Sequence, residues 1–303
     1  MDAIKNKEAI LSRVRDINYS KIIDEACGRW VQYQPAKEKQ CLSIGVDSSW
    51  NKRSYQGLDF YVVDAVAVDS TNDIKSVYWH YGLGITRSEI LENKAAELEA
   101  KVTKDVLDQG QADIILVDGS LASRFVNSNA DEVMKFVNDI IIAKKRQREE
   151  QEGKKELFVV FISKNSDTMK QFKSLKALAA DMYYYNHIGG DKVGFSIPFE
   201  DNGRFGSGGG STKFGCNIVE VYVRLREYAP IIKIELIGST REEWRESDIK
   251  NIIDTLYYHS VSGYPYCLKL AHNNCKVSNE DLDRLSSIYN LKNESSARAP
   301  LNE

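Results

Sequence analysis

Two short apolar runs in the chain each lead to an aspartate. Residues 42–46 precede Asp47, and residues 113–117 precede Asp118. Runs rich in Val, Ile and Leu are typical of strands in sheets that are covered on both faces, and such sheets bind ligands beyond the carboxyl ends of their strands. We therefore expect the two carboxylates to meet at one rim of a sheet. Two like charges are costly to desolvate, so a divalent cation is their natural partner.

The same aspartates also have a structural interpretation. An aspartate followed by Ser or Gly, as at Asp47 and Asp118, is ordinary turn and helix-cap chemistry. Two of them at equivalent places favour a functional pair. The chemistry that such a pair supports is metal-dependent hydrolysis, in which two divalent ions about 3.5–4 Å apart activate water and hold the leaving oxygen.

The composition is that of a globular protein. The chain has 303 residues, of which 42% are hydrophobic and 28% charged, enough for one large domain or a main domain with an appendage. A net charge of −3 argues against a protein that coats nucleic acid through a broad basic face, but it allows DNA in a local groove. The five cysteines have no zinc-type spacing, which predicts reduced thiols.

The chain shows no sign of membrane insertion. No apolar run reaches the length of a membrane span. Residues 1–15 are charged and lack the apolar segment of a signal peptide. We therefore expect a cytoplasmic protein that does not contact a membrane.

Hydrophobic periodicity predicts an α/β fold with a mixed sheet and flanking helices. Strands are predicted over residues 41–47, 60–68, 76–85, 113–117, 157–164, 216–225 and 231–237. Helices are predicted over residues 4–34, 88–107, 121–152, 168–182, 247–258 and 279–289. A polar turn is expected over 51–57, so the first three strands form an antiparallel meander. Three strands, a helix and a strand ending in an acid is the order of the ribonuclease H-like fold.

Two polar segments have ordinary interpretations. The charge-rich residues 143–150 are typical of a solvated helix end. The glycine-rich residues 203–213 lack the Gly-Lys-Ser/Thr order of a phosphate-binding loop, so we interpret them as a loop.

Three separate motifs together resemble the NurA nuclease family. They are Gly-Val-Asp-Ser-Ser at 45–49, Leu-Val-Asp-Gly-Ser at 116–120, and Tyr264-Pro265 followed by His272. The resemblance runs in matching order from Ile44 to about Leu282. It implies a ribonuclease H-like nuclease domain. We therefore expect an N-terminal helical segment over 1–40, from the periodicity, and a single nuclease domain over 41–303 with a C-terminal extension.

The resemblance also implies an activity and partners. NurA proteins cut DNA with manganese or magnesium, as 5′ to 3′ exonucleases and single-strand endonucleases. They are homodimers that dock on the HerA hexameric ATPase to resect DNA ends in double-strand break repair. DNA, a HerA-type ATPase and a second copy are therefore the expected partners, and Mn²⁺ or Mg²⁺, with two ions expected, the cofactor.

The resemblance implies a role for each residue of this sequence that matches a site position in the family's motifs. Asp47 and Asp118 match the family's two metal ligands at strand ends, and Tyr264 and His272 match its C-terminal tyrosine and histidine. Lys164 matches a lysine near the active site. Histidine beside hard oxygen ligands shifts preference toward manganese, and His272 would ligate a metal or shuttle a proton. Lys164 and Tyr264 would contact DNA, by charge and by hydroxyl or stacking.

A helical glutamate completes the family's acidic set, and three candidates lie on the helix predicted over 88–107. At 3.6 residues per turn, Glu99 lies about 60° from the centre of the apolar stripe. Glu92 has nearly the same angle two turns earlier, and Glu97 points far toward solvent. We choose Glu99, with Glu92 second and Glu97 third. Mid-strand Asp64 is a candidate to support the site from the neighbouring strand.

Two other classes of function stay open. Residues 45–49 also resemble the first phosphate loop of actin-like and sugar-kinase-like phosphotransferases, although no clear nucleotide motif follows Asp118. A non-catalytic scaffold that binds DNA or a HerA-type ATPase is the third possibility, but a degenerate copy would be expected to lose Asp47 or Asp118. The remaining histidines, His80, His187 and His259, are interpreted as structural.

Overall fold

The computed structural model describes residues 18–36, 41–55, 57–127, 130–150, 157–201, 217–238 and 244–291. The chain forms two compact units. The first unit draws on Met1–Gln40, Gly119–Leu121 and Val160–Pro265, and the second on Cys41–Asp118, Ala122–Val159 and Tyr266–Glu303. The division into a segment over 1–40 and a domain over 41–303 stays a prediction.

The described residues alternate strands and helices, which confirms the mixed α/β class. The strands are β1 (Trp30–Gln32), β2 (Ser43–Tyr55), β3 (Leu58–Asp69), β4 (Ile74–Gly84), β5 (Ile114–Asp118), β6 (Phe158–Ser163), β7 (Gly194–Ser196), β8 (Phe199–Asp201), β9 (Asn217–Arg224), β10 (Ile232–Gly238), β11 (Ser260–Val261) and β12 (Tyr264–Pro265). The helices are α1 (Tyr19–Gly28), α2 (Ser88–Gln109), α3 (Leu121–Asn127), α4 (Ala130–Glu150), α5 (Asp181–Asn186), α6 (Glu246–Tyr258), α7 (Tyr266–Cys275) and α8 (Asn279–Ile288). Within these stretches, none of the helices is both long and apolar enough to pass through a lipid bilayer.

The sheet of the second unit has the strand order β5-β2-β3-β4. β2, β3 and β4 form the antiparallel meander that the sequence predicts, and β5 lies parallel to β2. α2 connects the meander to β5 and buries the predicted apolar stripe against the sheet, namely Leu91, Ala95, Leu98, Val102 and Val106. The predicted order of three strands, helix and strand is therefore present in this unit.

The predicted polar turn over 51–57 is wrong. β2 continues to Tyr55, which pairs with Leu58 of β3, because residues 44–55 pair in unbroken register with residues 58–69 in one long antiparallel hairpin. Asp47 consequently lies inside a strand and not at its end, whereas Asp118 is the last residue of β5, as predicted.

The first unit contains strands in the order β1-β7-β9-β10-β6, with β8 paired to β9. The predicted strands over 216–225 and 231–237 correspond to the antiparallel pair β9 and β10. An aromatic core that includes Phe172, Tyr184, Tyr185 and Tyr222 packs beside Ile22 of α1.

Two predicted helices are wrong in extent. The helix predicted over 4–34 ends at Gly28, because Trp30–Gln32 pair with β7 as a strand; residues 1–17 lie outside the described residues. The helix predicted over 168–182 is replaced by irregular backbone, a single 3₁₀ turn at Lys173–Leu175 and the short α5. The buried Asp181 carboxylate accepts the backbone N–H groups of Lys170 and Gln171, so these donors are satisfied without a helix.

The remaining predictions on elements are close to the structure. The helix predicted over 121–152 corresponds to α3 and α4, and residues 128–129 and 151–156 lie outside the described residues. The helices predicted over 247–258 and 279–289 correspond to α6 and α8. The glycine-rich segment 203–213 also lies outside the described residues.

Candidate active site

The parallel pairing of β2 with β5 brings the two predicted aspartates to neighbouring strands. Val46 pairs with Val117, so Asp47 and Asp118 follow at the same level of the sheet. Asp47 is buried and Asp118 is half-buried. Their approach depends on two apolar strands that lie side by side, which is the arrangement that the sequence predicts.

The Asp47 carboxylate lies among other acids. One oxygen accepts the backbone N–H of Ser48 over 2.8 Å, and the other lies 2.9 Å from Nδ1 of His272. Burial raises the pKa of Asp47 to about 6, with further increases from the charges of Asp118 and Glu99, while the bonds from Ser48 and His272 oppose the rise. Three acidic groups therefore repel one another at this site, which is the electrostatic condition that a cation relieves.

Among the three candidate glutamates, Glu99 is the one that faces the aspartates. Its side chain is buried, and burial raises its pKa. Glu92 is exposed. Glu97 forms ion pairs with Lys94 and Lys101 on the helix surface. Glu99 lies next to Leu98 of the buried apolar stripe of α2, so its side chain points inward, as the helical angle predicts.

Both carboxylate oxygens of Glu99 have protein partners. Oε1 accepts a hydrogen bond from the Ser48 hydroxyl, and Oε2 accepts one from Nη2 of Arg124. The same Nη2 donates to the main-chain carbonyl of Asp118 over 2.9 Å. Sequence reasoning assigned no role to Arg124 or Ser48. For Arg124, the available signal was its place six residues after Asp118, on the helix that follows the strand end.

His272 reaches the site through α7, a helix that the sequence prediction missed. Its signal was present, because the buried residues of 266–275 have helical spacing, namely Cys267, Leu268, Ala271 and Cys275. α7 crosses β2 so closely at Gly45 that a Cβ there would lie 2.6 Å from the backbone nitrogen of Leu268. The His272 side chain is 56% exposed.

Asp64 lies on β3, opposite Ser49 of β2. Ser49 is two residues after Asp47, and the backbone of Ser49 donates a hydrogen bond to the Asp64 carboxylate. Burial raises the pKa of Asp64 to about 7, and the charge of Asp47 adds to the rise. Asp64 is therefore a further acid on the sheet face that carries Asp47.

The two residues predicted to contact DNA, Lys164 and Tyr264, lie in the first unit. The Lys164 ammonium lies 4.7 Å from the centre of the Tyr264 ring, a cation–π contact. Lys164 is exposed and follows β6; Tyr264 is half-buried at the start of β12. A tight turn with positive φ at Ser262 and Gly263 directs the chain into β12.

The remaining histidines are not part of the acidic cluster. His80 is exposed on β4, and its ring lies 6.0 Å from that of Tyr61. His187 ends α5, where its Nδ1 lies 2.7 Å from the carbonyl of Tyr183. His259 follows α6.

The donor set suits a hard divalent cation. Carboxylates of Asp47, Glu99 and Asp118 provide the oxygen ligands that Mg²⁺ and Mn²⁺ prefer, and one buried oxygen of Asp64 makes no hydrogen bond to a described residue. As the side chains stand, no three His, Cys, Asp or Glu residues in the described part of the chain are arranged as a closed metal-binding group. Glu99 in particular is turned toward Ser48 and Arg124.

Comparison with known proteins identifies the class. The NurA domain model matches residues 42–277. The chain therefore belongs to the NurA family. The DNA double-strand break repair nuclease NurA of Sulfurisphaera tokodaii is 22% identical over 322 residues, covering 94% of this chain and 95% of that protein.

Solved structures agree on the fold. The NurA nuclease from Sulfolobus solfataricus superposes with a TM-score of 0.71 at 19% identity, over 95% of this chain and 94% of that one. A NurA structure bound to dAMP and manganese superposes with a TM-score of 0.62 at 14% identity, over 100% of this chain and 99% of that one. At these identities the superpositions establish the fold that the two proteins share with this chain.

Proposed function

We propose that this protein is a divalent-metal-dependent deoxyribonuclease with a ribonuclease H-like core. The observation that supports this most is the convergence of Asp47, Glu99 and Asp118 in the second unit, with His272 bonded to Asp47. The relative in Sulfurisphaera tokodaii is named a nuclease, and a NurA structure holds manganese with dAMP.

Asp47, Glu99 and Asp118, with His272 beside them, would hold Mn²⁺ or Mg²⁺, for which we propose two ions. Bound ions supply a water nucleophile near neutral pH and stabilise the charge that develops on the phosphate. With Nδ1–H donating to the Asp47 carboxylate, a neutral His272 ring would leave the Nε2 lone pair to ligate an ion, whereas the imidazolium form, with a second proton on Nε2, would give that proton to the leaving oxygen.

Lys164 and Tyr264 would bind the DNA backbone and a base. The Tyr264 ring lies under the Lys164 ammonium, and this contact restrains a flexible cationic side chain that would approach a phosphate. The aromatic ring offers a stacking surface or a hydroxyl.

We further propose the finer activities of the family for this chain. These are 5′ to 3′ exonuclease and single-strand endonuclease activity, in the cytoplasm, with a HerA-type hexameric ATPase in end resection. A binding assay between this protein and the HerA-type ATPase of the same host, followed by cleavage assays with the ATPase present and absent, tests the partnership.

The proposed nuclease activity is tested with end-labelled single- and double-stranded DNA. The purified chain is incubated with Mn²⁺, Mg²⁺ or EDTA beside the Asp47→Ala and Asp118→Ala variants. We expect cleavage by the wild type with metal, and none with EDTA or in either folded variant. ATP turnover without DNA cleavage would favour a phosphotransferase, and metal-independent DNA binding without cleavage a scaffold.

We also propose a homodimer that pairs through β4. Residues 76–86 contain no Asp, Glu, Lys or Arg, and on one strand face Val77, Trp79, Tyr81 and Leu83 are 46–64% exposed. β4 ends the strand order of its sheet, and edges of this kind are normally protected by charges. A two-fold interface is formed by the same patch on both subunits, and a charged residue near the axis would meet its own copy and repel it, so an uncharged apolar strip suits a second copy of this chain as the occupant.

Sedimentation of the wild type and of Trp79→Glu tests the dimer. We expect a dimer for the wild type and a monomer for Trp79→Glu. Ile142→Glu is the matched control, because Ile142 is 61% exposed on α4, and it should stay dimeric. A monomeric wild type, or a dimeric Trp79→Glu variant, would contradict the assignment of β4.

A further inference from the structure

Arg124 contacts both the helical acid and the end of the strand that carries Asp118. Its Nη2 donates to Oε2 of Glu99 and to the main-chain carbonyl of Asp118. The Arg124 side chain is 12% exposed and that of Glu99 is 7% exposed. A largely buried guanidinium therefore joins α2 to the carboxyl end of β5.

The Glu99 carboxylate is fixed from two sides. The Ser48 hydroxyl donates to Oε1, while Arg124 donates to Oε2. Ser48 also donates its backbone N–H to Asp47. Rotation of the Glu99 carboxylate thus requires the loss of a charge-assisted hydrogen bond, which is stronger than a neutral one.

We infer that Arg124 is a positioning residue of the metal centre. It sets the orientation of Glu99 relative to Asp118. Each Glu99 oxygen that accepts one protein hydrogen bond keeps a second lone pair, through which acids on α2 and β5 would share an ion. This inference rests on the proposed function. A lysine at position 124 would keep the charge but would lose the rigid guanidinium that places Nη2 between Glu99 and the Asp118 carbonyl.

Two other roles predict different behaviour. If Arg124 served only as a counter-charge, its removal would lower the repulsion of an incoming cation, and metal binding would tighten. If Arg124 served only the stability of the fold, its removal would lower the melting temperature and leave metal affinity unchanged. A measured metal affinity therefore distinguishes a positioning role of Arg124 from a counter-charge role and from a role in fold stability alone.

The test measures Mn²⁺ binding to the full chain without DNA. Electron paramagnetic resonance reports the concentration of free Mn²⁺ during the titration. Partners that orient metal ligands typically contribute 10–100-fold to affinity, so we expect Arg124→Gln to weaken Mn²⁺ binding by about 10–100-fold. Arg124→Lys should give an intermediate loss. Arg146→Gln is the matched control, because Arg146 is exposed on α4 with only 3.5 Å contacts to the Leu107 carbonyl and to Asp108, and it should bind like the wild type.

Unchanged or tighter Mn²⁺ binding by folded Arg124→Gln would overturn the inference. If Arg124→Gln does not fold, the Mn²⁺ affinity of Arg124→Lys is the test. An affinity equal to that of the wild type in this variant would also overturn the inference. Failure of the proposed function is visible separately, because in that case the wild type itself binds no Mn²⁺.

Discussion

The imidazole Nδ1 of His272 lies 2.9 Å from a carboxylate oxygen of Asp47, although 225 positions separate the two residues in the chain. α7 makes this contact by crossing β2 at Gly45, where helix backbone occupies the space of a side chain. The place of the histidine therefore depends on a glycine two residues before the aspartate.

Substitution of Gly45 by alanine should displace α7. The added methyl group would overlap the backbone of Cys267 and Leu268, and overpacking of this kind costs about 1–3 kcal/mol. We expect a lower free energy of unfolding and a loss of cleavage. Gly28→Ala is the control, because a Cβ there meets nothing within 4 Å. Equal urea midpoints and equal rates for the two variants would contradict the close crossing.

Neutralisation of Glu99 should stop cleavage, whereas neutralisation of Glu97 should not. Glu99 is buried beside Ser48, while Glu97 pairs with surface lysines. Loss of several kcal/mol of charge stabilisation lowers the rate by about 10²-fold or more. We expect this for Glu99→Gln in single-turnover cleavage, and a rate close to that of the wild type for Glu97→Gln. A slower cleavage rate for Glu97→Gln than for Glu99→Gln would show that Glu99 is not the third acid.

The stability of the metal-free chain should fall with pH because of Asp47. Its pKa is raised to about 6 when folded, from an ordinary value of 3.8, so the folded chain keeps a proton that the unfolded chain releases. This contribution is present below about pH 4 and is lost as the pH rises through about 6. In EDTA, Asp47→Asn should match the wild type near pH 4 and exceed it at pH 7.5 by up to about 3 kcal/mol. A difference that does not change with pH would contradict the raised pKa.

Removal of the Lys164 charge should weaken DNA binding and lower its salt dependence. A lost phosphate contact reduces the slope of log affinity against log salt by about 1. We expect this for Lys164→Ala in fluorescence anisotropy with a single-stranded oligonucleotide. Lys250→Ala is a matched control, because Lys250 lies 5.3 Å from the ring centre of Tyr33 in a similar pair. The same slope in both variants and the wild type would exclude a phosphate contact at Lys164.

Local patterns predicted much of the second unit. Apolar runs of strand length predict β2, β3, β4 and β5, and the 3.6-residue spacing predicts α2 and the inward direction of Glu99. These features depend on residues close in sequence, so the pattern itself carries the information.

Tertiary contacts decided the rest. Trp30–Gln32 form a strand because β7 pairs with them. In the segment 168–180, the side chain of Asp181 accepts the backbone N–H groups of Lys170 and Gln171, and the Tyr184 hydroxyl accepts that of Leu178, in place of helical bonds. Arg124 acquires its partners only when α3 lies against α2. Such partners come from distant segments, and no local spacing encodes them.

We propose that Asp47, Glu99 and Asp118 together hold the metal ion. Anomalous scattering from a crystal of this protein grown with Mn²⁺ tests it most directly. We predict a manganese peak within ligand distance, about 2.0–2.6 Å, of oxygens from all three carboxylates, and its disappearance in Asp118→Asn. A peak elsewhere, or a wild-type crystal without manganese between these residues, would show that these three carboxylates do not form the metal site.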